Sequence, residues 1–104
     1  MAVIHLTKNN FEKEVHSFEG LVLIDFWAPW CPPCRMLGPI VEELSEELDS
    51  NVVKVCKVNV DEEGELAQLF QVTNIPLLVV MQNGKVIKTS VGYKPKEEVL
   101  ELLK

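Results

Sequence analysis

Leu21-Val22-Leu23-Ile24-Asp25-Phe26-Trp27-Ala28-Pro29-Trp30-Cys31-Pro32-Pro33-Cys34 is the stretch that decides how this chain folds. An apolar run broken only by Asp25 suits a central strand buried on both faces. After the two cysteines, Leu37, Val41, Leu44 and Leu48 recur at helical spacing with Ile40 beside them. Acids fill the opposite side. Pro32 and Pro33 are tolerable in a first helical turn, whose amides have no intrahelical partner. Pro39 falls inside the helix and predicts a kink, because it removes a donor and crowds the preceding turn.

Working outward, residues 3–6 read as a short strand and residues 8–16 as a helix on Phe11 and Val15. Residues 52–60 read as a second buried strand and 65–70 as a short helix. Residues 77–81 and 85–91 are strands joined at Asn83-Gly84, a strong hairpin signal. Pro95 starts a last helix, with Val99, Leu102 and Leu103 on one face and Glu97 and Glu98 in the favourable first turn. The order βαβαβαββα gives an α/β fold, a central mixed sheet with helices on both faces. There is no internal repeat, linker or low-complexity tract, so residues 1–104 are read as one domain.

With 47% apolar residues in 104, a core can form without disulfide staples or a structural metal. A net charge of −6 argues against nucleic-acid partners and anionic membranes, both of which need a basic face. No stretch is apolar enough to span a bilayer. The opening residues have neither the basic segment nor the long apolar run of a secretory signal, so cytoplasm is the default expectation.

Cys31 and Cys34 form a C-x-x-C pair, and Cys56 stands apart. Three cysteines do not make a secreted disulfide scaffold; in a reducing compartment the pair suggests chemistry. Two residues three apart in a first helical turn share a side, with Cα atoms roughly 5–6 Å apart, the usual disulfide separation. The pair can therefore close and reopen without moving the backbone. A helix N-terminus favours an anion and lowers a thiol's pKa. Cys31, the outer residue, is read as the nucleophile, and Cys34, one turn in, as the resolving thiol. A zinc site would need four ligands, and Cys56, His5 and His16 stand at no ligand spacing, so no metal is expected.

Trp30-Cys31-Pro32-Pro33-Cys34, after a strand ending Asp25-Phe26-Trp27-Ala28, resembles the thioredoxin family. The resemblance runs on through Lys57-Val58-Asn59-Val60-Asp61, Asn74-Ile75-Pro76, Asn83-Gly84 and Val91-Gly92, covering essentially the whole chain. It implies a thioredoxin-like three-layer sandwich and a dithiol reductant of protein disulfides. Such an electron carrier is a monomer recharged by an NADPH-dependent thioredoxin reductase, with no cofactor beyond its own cysteines. It further implies a cis Ile75-Pro76 peptide beside the cysteines. The backbone there would pair with an extended substrate chain, over a rim formed by Trp30, Ile75, Pro76 and Gly92.

The resemblance gives Asp25 the role of proton acceptor for Cys34, with Lys57 tuning it; the alternative is a structural Asp25–Lys57 ion pair. Trp27 is read as core packing, and so are Phe11, Phe18, Phe26 and Phe70. Cys56 is read as a small buried hydrophobe. The acids from Glu42 to Asp49 read as a solvated helix face. Three positions depart from the family's habit. Pro32 replaces a glycine, removing a donor near the Cys31 sulfur while stiffening the loop; the first effect favours the disulfide, the second acts on either state. Leu77 and Tyr93 replace smaller or more polar residues and are expected beside the substrate groove. Two other functions compete: an oxidant or isomerase on the same fold, which the absence of a histidine before Cys34 disfavours, and a non-catalytic binding module.

Overall fold

The computed structural model describes residues 3–104. Its elements, in chain order, are β1 (Ile4–His5), a π-helical segment (Glu12–His16), β2 (Leu21–Trp27), α1 (Pro32–Glu47) and β3 (Val53–Asn59). There follow α2 (Gly64–Leu69), β4 (Leu77–Gln82), β5 (Lys85–Val91) and α3 (Lys96–Leu102). The strands form one sheet in the order β1-β3-β2-β4-β5. β3 runs parallel to β1 and β2, and β4 runs antiparallel to β2 and β5. The sheet is mixed, as expected, and β2 lies at its centre.

Alternation along the strands sorts the core into two layers. On one face Val22, Ile24, Phe26, Cys56, Val58, Val79 and Met81 pack with Phe11, Val15 and Leu66 from the π-helical segment and α2. On the other, Leu23, Val55, Leu78 and Val80 pack with Leu37, Val41 and Leu44 of α1 and Val99 of α3. Leu37, Val41 and Leu44 are fully enclosed, each burial stabilising by roughly 1.5–3 kcal/mol. The helical stripe read from the sequence is thus the face that meets the sheet. Asp25 and Lys57 fall in register with Leu23 and Val55 and so join the α1 layer.

The first helix is shorter than the sequence suggests. Residues 8–10 form a turn held by Asn10 Oδ1, which accepts from the Thr7 amide at 2.7 Å. Such local side-chain bonds compete with helix, and only Glu12–His16 continues, in wide π geometry. α1 runs on through Pro39 without interruption. The β4–β5 hairpin turns on Asn83 and Gly84 with φ of 55° and 76°, the left-handed pair that the Asn-Gly dipeptide supplies.

Candidate active site

The site gathers where the C-terminal end of β2 feeds α1. Cys31 is the N-cap of α1 in extended geometry, and Pro32 and Pro33 occupy the first two helical positions. Neither proline has an amide hydrogen, so the Cys34 N–H is the donor that reaches Cys31 Sγ, at 3.3 Å. The two cysteines are joined as a disulfide with Cα atoms 5.2 Å apart, as their spacing predicts.

Cys31 is the outer residue along the helix, at its N-cap, yet both cysteines are nearly enclosed, Cys31 3% and Cys34 2% exposed. Both lie in a small apolar nest of Ala28, Trp27, Val60 and Ile75. What separates them is direction. Cys31 faces the Ile75 carbonyl oxygen, 3.8 Å from its sulfur, and adjoins the exposed Trp30. Cys34 lies one turn into the helix, lining a groove of about 790 Å³ with Trp27, Gly38, Glu42 and Lys57.

The rim expected from the resemblance comes together. The Ile75-Pro76 peptide is cis, and the Gly92 amide donates to the Pro76 carbonyl at 2.8 Å. Gly92 has φ +93°, a region closed to most side chains, and this fixes glycine at the edge of the site. Trp30 is 64% exposed, and its indole N–H donates to Asp61 Oδ2 at 2.9 Å. Asp61 is therefore part of the rim by holding the ring, a role its place in the sequence did not announce.

Leu77 follows Pro76 directly and pairs with Val91, but it does not open onto this rim. Its side chain is buried in the core layer with Val79 and Met81, because the strand alternation turns it inward. Tyr93 is exposed and remains on the surface. Trp27 is half-buried rather than sealed in the core, and it forms a wall of the Cys34 groove.

Asp25 is fully buried, and neither carboxylate oxygen has a hydrogen-bond partner. Burial pushes its pKa up to about 7, against a smaller downward pull from Lys57 and a small upward push from Glu42. The structural ion pair with Lys57 is not formed. Lys57 sits opposite Asp25 in the β2–β3 register, but its ammonium lies 3.6 Å from Glu42 Oε2 and 4.9 Å from the Trp27 ring centroid. In the sequence Glu42 is one of several acids on a solvated helix face, and its spacing from Cys34 carries no sign that it lines the groove.

Cys56 is fully enclosed on the other face of the sheet, and burial pushes its thiol up to about 12. That matches a packed, unreactive side chain. His5 is exposed at the sheet edge, and His16 lies 3.8 Å from Glu12. Neither approaches the cysteine pair.

The Thioredoxin family model matches residues 2–104. The chain is 47% identical over 103 residues to the thioredoxin of Bacillus subtilis, covering 99% of this chain and 96% of that one. It is 46% identical over 101 residues to the thioredoxin of Listeria monocytogenes, covering 97% and 95%. With that of Rickettsia bellii it shares 43% over 97 residues, covering 93% and 91%. A paired dithiol at a helix mouth, a cis-proline loop against it and a buried, unpaired carboxyl in the strand that leads to it thus coincide with similarity along nearly the full length, and the chain belongs to the thioredoxin family.

Proposed function

We propose that Cys31 is the attacking thiolate of a protein-disulfide reductase, Cys34 the resolving thiol, and Asp25 the proton acceptor that activates Cys34. The chain is a thiol–disulfide oxidoreductase; these assignments say which atom does what. The single observation that carries them is the placement of Cys31 at the N-cap of α1, with the Cys34 amide aimed at its sulfur. A negative sulfur is favoured there by the hydrogen bond and by the positive helix end.

A substrate disulfide lies against Trp30, Ile75, Pro76 and Gly92. The Cys31 thiolate attacks one of its sulfurs, forming a mixed disulfide and releasing the other as a thiolate. Cys34 then gives its proton to Asp25 and attacks Cys31 Sγ. The Cys31–Cys34 bond forms, the bond to substrate breaks, and the second substrate thiolate leaves. Two electrons have passed from the dithiol to the substrate. The second step is intramolecular, so it gains from the sulfur being already in place. Pro32 and Pro33 stiffen the loop and leave the Cys34 amide to serve the Cys31 sulfur.

The cycle needs no cofactor beyond the two cysteines. A thioredoxin reductase restores the dithiol, and the cytoplasm, where disulfides in substrates are transient, is the compartment that suits a monomeric reductant of this kind. The test is a pair of variants. Cys31→Ser abolishes reduction of insulin disulfides, whereas Cys34→Ser accumulates mixed disulfides with substrate. Retained activity in the first, or no trapped species in the second, reverses or removes the roles.

A further inference from the structure

Lys57 and Asp25 face each other across β2 and β3 with opposite charges, yet the lysine is turned elsewhere. Its ammonium is held over the Trp27 ring by Glu42 of α1, above Gly38, where a Cβ would stand 3.5 Å from it. We propose that Glu42 is a positioning residue for the resolving step: it draws the Lys57 ammonium to the α1 side of the groove, leaving the Asp25 carboxyl unpaired and free to take the Cys34 proton. This rests on Asp25 being the base for Cys34.

The charged groups that act on Asp25 are Lys57 of β3 and Glu42 of α1, while β4 places the apolar Leu78 opposite it and α3 packs Val99 into the same layer. Of the other acids on α1, Glu43 and Glu47 are each bound to Lys96 at 2.6 Å, and Glu46 lines the same groove as Lys57. The Lys57 ammonium meets the carboxylate of Glu42, which is half-exposed, and not that of the buried Asp25. Were it to move to Asp25, the carboxylate would be stabilised and become a weaker base. With Glu42 holding it, Asp25 keeps the raised proton affinity that burial gives it, which suits a group that must accept and later release a proton.

The measurement is the carboxyl 13C titration of Asp25 in the oxidised protein, where the paired cysteines do not titrate. Glu42→Gln should lower the Asp25 midpoint by roughly half a unit or more. In a Lys57→Met background the same substitution should shift it by less than half as much, because the ammonium it positions is gone. Stopped-flow resolution of a preformed mixed disulfide should show the same displacement in its pH profile. No midpoint change, or an equal change in both backgrounds, overturns the proposal. Asp25→Asn separates the two levels. If it slows resolution while Glu42→Gln moves nothing, only the Glu42 role falls. If it leaves resolution untouched, both fall.

Discussion

Asp25 and Lys57 occupy directly opposed positions on adjacent parallel strands and do not form an ion pair. An unpaired carboxyl in a fully enclosed site is costly when ionised, so its persistence in the middle of β2 puts a proton-binding group where stability alone would favour an apolar residue. Two consequences can be measured.

The first concerns stability against pH. The Asp25 pKa rises from 3.8 in the open chain to about 7 in the fold. The folded protein therefore binds the extra proton between those values. Its contribution is fully present below pH 3.8 and is lost as pH rises through 7. At about 1.4 kcal/mol per pH unit, the cost of the ionised form at alkaline pH is on the order of 4 kcal/mol. Asp25→Asn, which mimics the protonated side chain, should be more stable than wild type at pH 8.5 by several kcal/mol. The two proteins should converge near pH 4. Urea unfolding at the two pH values checks this; a variant no more stable at pH 8.5 would mean that burial does not raise the carboxyl.

Asp25→Asn should also divide the two chemical steps. Formation of the mixed disulfide should change by less than about threefold, while resolution slows by ten- to a hundredfold, the range expected for loss of a general base. Rapid-quench separation of the intermediates gives both rates. Equal slowing of the two would assign Asp25 a structural role.

Trp30 is largely exposed and pinned by Asp61. Its ring offers apolar area to a docking chain at little entropic cost only while it is held. Asp61→Ala should raise KM for a protein disulfide severalfold with kcat nearly unchanged, and Trp30→Ala should do so more strongly. A fall in kcat alone would place Asp61 in the chemistry instead.

Gly38 lies inside α1, and a methyl added there meets only the Lys57 ammonium at ordinary contact distance. Gly38→Ala should therefore gain about 0.5–1 kcal/mol from helix propensity. Thermal unfolding reads the sign. A destabilised variant would mean that Lys57 cannot give way beneath Glu42.

The apolar run of β2, the stripe of α1 and the Asn83-Gly84 turn carried the fold in their spacing, because each is a local pattern with one structural solution. Strand and helix boundaries moved by one or two residues. The π-helical segment was less legible, since the Thr7–Asn10 turn replaces its first part. The cysteine pair was plain from its spacing. What spacing could not show was long-range. Lys57 meeting Glu42 rather than Asp25, Asp61 holding Trp30, and Leu77 turning inward all depend on which elements pack together. Depth was also hidden: residue order puts Cys31 at the helix mouth but says nothing of how Ile75 and Ala28 cover it.

The most direct measurement is alkylation of the reduced, folded protein by iodoacetamide across pH, with the modified cysteine identified by peptide mapping. Cys31 should react first, with a rate that is half-maximal clearly below the ~8.5 of an ordinary thiol. Cys34 should lag behind it, and Cys56 should stay unmodified until denaturant is added. Preferential labelling of Cys34, or a Cys31 that reacts only above that pH, would contradict a thiolate held at the mouth of α1.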